Sequence, residues 1–218
     1  MILQTHELFD LSHSIAGPLL SRCKYPHRAL GLIGDFIKEC SATLDDTYIE
    51  IAEDVFAADD AKIWDGATIV GPTIIGRRAE IRPGAFIRGK AIIGDGAVIG
   101  NSTEIKNSII FDQAQLPHYN YVGDSIIGYR AHMGAGAIAS NLRLDKREIT
   151  LVGDEEGADS GLRKIGVFLG DYAEVGCGCV ICPGGIIGRG AMVYPLTSVK
   201  GYIPEHTIYN GKTLKQLH

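Results

Sequence analysis

His118, in the segment Pro117-His118-Tyr119-Asn120-Tyr121, is the side chain of this sequence best suited to chemistry. Imidazole exchanges a proton near neutrality, so a histidine on a loop beside a stiff sheet can serve as a general base. A solvated surface histidine is the plain alternative. His6, His13 and His27 fall in the first fifty residues and His206 and His218 in the tail, which leaves His132 to share a site with His118. Two histidines do not make a zinc site of three or four converging ligands, so a metal-dependent hydratase is disfavoured and no metal is expected. Cys177, Cys179 and Cys182 form C-x-C-x-x-C, but Cys179 falls where the repeat described below points inward, which predicts a buried sulfur. Arg82 and Lys106 each follow an isoleucine that points inward, so both should point outward, where two cations beside His118 would suit a phosphate. Solvated charge is the commoner fate of such residues.

The elements that must position these groups show in a period of six. Every sixth residue is Ile51, Ala57, Ile63, Ile69, Ile75, Ile81, Ile87, Ile93, Ile99, Ile105 and Phe111, and four residues after each of the first ten comes a mostly small residue such as Ala61, Ala67, Ala85 or Thr103. Large aliphatic, then small, with glycine or polar residues between, is the pattern of hexapeptide repeats that wind short strands into a parallel β-helix. The fold class is therefore all-β, with Ile63, Ile81 and Ile99 stacked in one inward column eighteen residues apart. The register fails through DQAQLPHYNYVGDS, because Ile105 to Ile127 spans twenty-two residues, and resumes at Ile127, Met133 and Ala139. A longer, charged departure covers Leu142 to about Val167. Loops on a rigid scaffold are where function concentrates.

The expected organisation is a helical extension at 1–50, a β-helix at 51–203 with loops at 112–126 and 142–167, and a tail at 204–218. Leu30, Leu32, Ile33, Phe36 and Ile37 predict one helix between His27 and Leu44, with a shorter one at Glu7–Ser14 and a break at Gly17-Pro18. The apolar helical face should cover the open edge of the first coil. A net charge of -5 argues against nucleic acid or an acidic membrane as partner. Five cysteines, an odd number, point to a reducing, cytoplasmic setting, and no signal peptide or apolar span is read.

The stretches IRPGAF, NSTEIKNS, PHYNYVGDS, GAGAIASNLRLDK, SGLRK and IGVFLGD, in that order, carry a resemblance. From about Ile51 to Lys212 the chain resembles the left-handed β-helix acetyltransferase domain of bifunctional sugar-1-phosphate nucleotidylyltransferase/acetyltransferases, the bacterial and archaeal enzymes that make UDP-N-acetylglucosamine. The resemblance implies the left hand of the coil, a homotrimer, and acetyl-CoA as co-substrate for N-acetylation of a glucosamine-1-phosphate-like sugar. It also implies roles. His118 would be the general base, Arg82, Lys106, Tyr121, Asn141 and Lys146 the substrate contacts, and Ala135 and Cys177 would line the coenzyme groove between subunits. Backbone N–H groups near Gly134 to Gly136 would stabilise the thioester oxyanion. His132 stands where the bacterial enzymes have asparagine, Leu142 where they have tyrosine, and Pro195 where they have a small residue; Asn141-Leu142-Arg143 follows the archaeal pattern. No Gly-rich nucleotide loop opens the chain, so nucleotidylyltransferase activity is not expected, and a separate nucleotidylyltransferase would fit as a partner. The alternative is a non-catalytic β-helix module, related by descent to UDP-N-acetylglucosamine pyrophosphorylase, that binds a sugar phosphate or nucleotide sugar.

Overall fold

The computed structural model describes residues 3–151 and 158–217. The chain winds as a left-handed parallel β-helix of two- to four-residue strands whose sides form three sheets. Face A holds Val55–Ala58, Thr73–Ile75, Ala91–Ile93, Ser108–Ile110, Ile126–Ile127, Val167–Leu169, Gly185–Ile187 and Tyr202–Ile203. Face B runs from Lys62–Ile63 through Val98–Asn101, Gln115–His118 and His132–Met133 to Thr207–Tyr209, and face C from Thr68–Ile69 through Glu104–Lys106, Tyr121–Gly123 and Ile138–Ala139 to Ser198–Val199. Ile63 pairs with Ile81 and Ile81 with Ile99, and the column continues through Leu116, Met133, Val175 and Val193. These side chains fill one apolar core with the alanines of the small positions. Each large aliphatic contributes about 1.5–3 kcal/mol by leaving water.

The sixfold count departs from the coil in three places. Ile51 lies on Tyr48–Ala52, which runs antiparallel to Val55–Ala58, and is 44% exposed, so stacking begins at Ala57. Phe111 is buried outside the coil against Phe9; the inward residue is Ile110, which pairs with Ile93. Residues 112–126 are not an excursion. Gln115–His118 pairs in parallel with Val98–Asn101, and Tyr121–Gly123 with Glu104–Lys106. The twenty-two residues from Ile105 to Ile127 are four repeats, of which the two that turn from face C to face A are each one residue short. Asn107 and Asp124, with φ of 47° and 51°, turn those corners tightly, so a residue is lost without loss of the ladder. The later departure does leave the coil: Leu142 bridges Lys164, and Thr150–Leu151 pairs antiparallel with Ala158–Asp159 before Val167 rejoins face A. Past residue 203 the chain adds Thr207–Tyr209 to face B, and Leu214–Gln216 folds back antiparallel upon it.

The N-terminal region forms α1 (Thr5–Leu8), α2 (Gly17–Ser21) and α3 (Ile33–Ser41), with 3-10 turns at Leu11–His13 and Pro26–Ala29. Gly17-Pro18 opens α2 instead of breaking the chain, since proline in a first turn has no N–H to satisfy. The helices lie along face A, not across the coil's end. Leu20, Ile33 and Ile37 pack on Ile74, Ile92, Ile109, Ile126, Phe168 and Ile186, the outward residues of that face. Face A is thus buried on both sides, which explains its doubled isoleucines. The lower edge is closed by the antiparallel Tyr48–Ala52.

Candidate active site

His118 ends a face B strand at the corner leading to face C, with its side chain exposed. Tyr119 next to it has φ of 52° and turns the chain. One backbone bond per coil builds this corner: Tyr119 N–H donates to the Asn101 carbonyl at 2.9 Å, Gly136 to His118 at 3.0 Å, Gly178 to Ala135 at 2.9 Å and Leu196 to Cys177 at 2.9 Å. His118, Ala135 and Cys177 therefore occupy the same corner position on successive coils, about 4.8 Å apart by strand spacing. Pro195 precedes Leu196 at the next level.

Asn120 holds the corner from inside. It is 2% exposed, and its Oδ1 accepts the His118 N–H at 3.2 Å while its Nδ2 donates to the carbonyls of Gly134 and Ala137 at 2.8 and 3.2 Å. Sequence reasoning missed this residue. The signal was present: four residues after Leu116, asparagine stands in the inward slot that Ala85, Thr103 and Ala137 fill elsewhere. The expected oxyanion donors narrow to one, because Gly134 N–H is bonded to Val175 and Gly136 N–H to His118. Ala135 N–H has no backbone acceptor among the described residues. His132 lies on face B with Nδ1 at 2.9 Å from Glu174 Oε2, so its ring is already engaged. Cys179 is buried and donates to the Tyr194 carbonyl at 3.1 Å, and burial pushes its thiol pKa up; Cys177 is exposed.

The other end of face C gathers a second set. Asp124 is 5% exposed and accepts from Asn107 Nδ2 at 2.8 Å and Asn141 Nδ2 at 2.6 Å, with Lys106 Nζ at 3.6 Å. The Asn141 side chain also hydrogen-bonds the Tyr121 hydroxyl, whose pKa is raised by burial and then by the carboxylates of Glu104 and Asp124. Lys106 and Asn141 thus converge on a carboxylate that the sequence did not single out, and Tyr121 joins them through Asn141. Lys146 lines a cavity of about 610 Å³ with Asn107, Asp124, Leu142 and Lys164, and Arg163 Nε holds its carbonyl at 3.0 Å. Arg82 does not join them. It follows the last residue of a face B strand, its guanidinium lies 3.1 Å from Glu80, and it lines neither this cavity nor the adjoining one of about 360 Å³ that Lys106 faces. Within one protomer, Arg82 and Lys106 stand at opposite ends of face C, because the first precedes that face and the second closes it. Among the described residues, no three His, Cys, Asp or Glu side chains converge as metal ligands.

Comparison with known proteins adds relatives to this geometry. Residues 69–160 match the family model described as the GMPPB C-terminal domain. An Escherichia coli K12 protein named as an uncharacterized acetyltransferase, YaiX, is 33% identical over 173 residues, covering 78% of this chain and 75% of its own. A bifunctional sugar-1-phosphate nucleotidylyltransferase/acetyltransferase of Sulfurisphaera tokodaii is 37% identical over 147 residues, or 67% of this chain, but the match spans only 37% of that longer protein. Among solved structures, PerB of Caulobacter crescentus, crystallised with CoA and GDP-perosamine, aligns at 20% identity with a TM-score of 0.43, covering 73% of this chain and 56% of that one.

Proposed function

The chain belongs to the hexapeptide-repeat acetyltransferases related to the sugar-1-phosphate nucleotidylyltransferase/acetyltransferases, and from that premise we propose that it transfers the acetyl group of acetyl-CoA to the amine of a sugar phosphate. The observation that carries the reading is the corner column: an exposed imidazole at His118, a free backbone N–H one coil on at Ala135, and Cys177 beyond. The neutral amine attacks the thioester carbon. His118 takes the proton that the nitrogen sheds, and the C–S bond then breaks to release coenzyme A, whose thiolate recovers a proton. Ala135 N–H is the donor aimed at the transient oxyanion. General-base assistance of this kind contributes roughly 10²- to 10⁴-fold. In this reading Lys106, Tyr121, Asn141 and Lys146 of one copy hold the acceptor and its phosphate at the Asp124 end of face C, and the amine meets His118 and Arg82 of a second copy across the groove between them.

The assembly in this reading is a homotrimer. Face A is covered by helices, whereas face C leaves Phe86, Ile138 and Val180 exposed in one column, with Glu104 and Tyr121 between the first two, a mixed apolar and polar surface suited to a second copy. A ring of three closes the symmetry and covers that surface in each copy. Static light scattering at micromolar concentration should return three times the chain mass, and a stable monomer would remove the shared groove. A cytoplasmic setting fits the five unpaired cysteines. No described helix is long and apolar enough to cross a membrane. The decisive assay is free-thiol release from acetyl-CoA with a panel of amino-sugar 1-phosphates and nucleotide-linked amino sugars; no release with any acceptor defeats the reading.

A further inference from the structure

The two cavities at the Asp124 corner form one groove. They share Leu30, Gly31, Asn107 and Asp124, and together the floor steps from Gly71-Pro72 through Gly89-Lys90 and Asn107 to Asp124, one coil at a time. Three steps at about 4.8 Å make roughly 14 Å. Arg88, Lys90, Lys106, Lys146, Arg163 and Lys164 line it, against one carboxylate, Asp124. The whole chain is at -5, so this concentration of cations runs against the charge of the molecule. Asp124 is already engaged by Lys106, Asn107 and Asn141, and Arg88 by Glu104 at 2.6 Å. Lys90, Lys146, Arg163 and Lys164 enter no ion pair among the described residues. Apolar wall comes from Leu30, Pro72, Leu142 and Leu162, the first of them supplied by the N-terminal extension.

We infer that this groove holds the nucleoside diphosphate of a nucleotide-linked sugar, with the N-terminal extension as one of its walls. The inference rests on the sugar-phosphate reading of the Asp124 corner and narrows its acceptor class. A sugar monophosphate concentrates its charge at one end and would leave most of a 14 Å cationic track unused. A diphosphate spreads charge along the track and brings a nucleoside to the apolar wall. Volumes of about 610 and 360 Å³ are within the range of small-molecule sites.

Calorimetric titration of the full chain with UDP, GDP, dTDP and inorganic pyrophosphate tests this. At least one nucleotide should bind ten or more times more tightly than pyrophosphate, with an affinity that falls as salt rises. Gly31→Glu puts a carboxylate where an added Cβ meets nothing within 4 Å, and Lys90→Ala removes a cation; each should weaken that nucleotide at least tenfold with the unfolding midpoint unchanged. Should Gly31→Glu disturb the fold, Lys90→Ala decides alone. The inference is overturned by no saturable binding of the three nucleotides in the millimolar range, by equal affinity for pyrophosphate, or by an affinity indifferent to Lys90→Ala. Acetyl transfer is read separately. Transfer to a sugar monophosphate without nucleotide binding sinks this inference alone, whereas nucleotide binding without transfer to any amine sinks the acetyltransferase reading and leaves the groove.

Discussion

The two ends of face C use polar residues in opposite ways. At the His118 end the side chain that would react is exposed, and its position is set by backbone bonds and by Asn120 from within. At the Asp124 end a carboxylate is buried, and Lys106, Asn107 and Asn141 are all turned upon it. A reacting group must be left partly unsatisfied to accept a proton, while a binding wall needs charges fixed in advance. The first end therefore spends its hydrogen bonds on the frame, and the second on the side chains themselves. Deletions should have different signatures at the two ends.

His118→Ala should produce the largest effect, a fall in turnover of about 10² or more with thermal stability unchanged, since an exposed imidazole contributes no packing. Unaltered turnover in a normally folded variant makes His118 a bystander and erases the contrast. Asp124→Ala should act on the fold instead. It strands Asn107, Asn141 and Lys106 without their acceptor, and a loss of about 2–3 kcal/mol in chemical denaturation is expected, the half-exposed side of Lys106 moderating the cost. A variant as stable as the parent would show that the carboxylate does not organise this corner. Lys106→Ala should raise the acceptor KM roughly ten- to a hundredfold, and by less for an amine lacking phosphate. Equal changes for both amines assign Lys106 to the scaffold.

The smallest effect sharpens the comparison from outside the site. His27 is 2% exposed, neither ring nitrogen has a hydrogen-bond partner, and burial lowers its pKa from 6.5 to about 4. The unfolded chain therefore binds this proton more readily than the folded one, so stability is full above about pH 6.5 and falls as the pH drops towards 4. Between pH 8 and 5.5 the loss should be roughly 1 kcal/mol, absent in His27→Phe if the ring is accommodated. An equal acid loss in that variant places the titrating group elsewhere.

The repeat was legible because an inward side chain must be large and apolar on every coil, and six residues is what one side of the coil consumes. Ile63, Ile81 and Ile99 could be placed from spacing alone. The two shortened corners could not, since a count that slips between Ile105 and Ile127 looks the same whether a loop leaves the coil or two turns lose a residue each. Backbone ladders decide between these, through the tight left-handed turns at Asn107 and Asp124. The helices were legible as apolar, but not their docking against the side of face A.

By itself, the sequence determined the periodic core, the helical start and the charged insertion, because each rests on local spacing or residue chemistry, and it singled out His118 as the candidate base that turnover of His118→Ala tests. Only the tertiary structure decided which residues meet. Asn107, Asp124 and Asn141 lie seventeen residues apart in sequence and become neighbours because one turn of this coil brings the chain back upon itself, and no property of the three residues taken singly contains that distance.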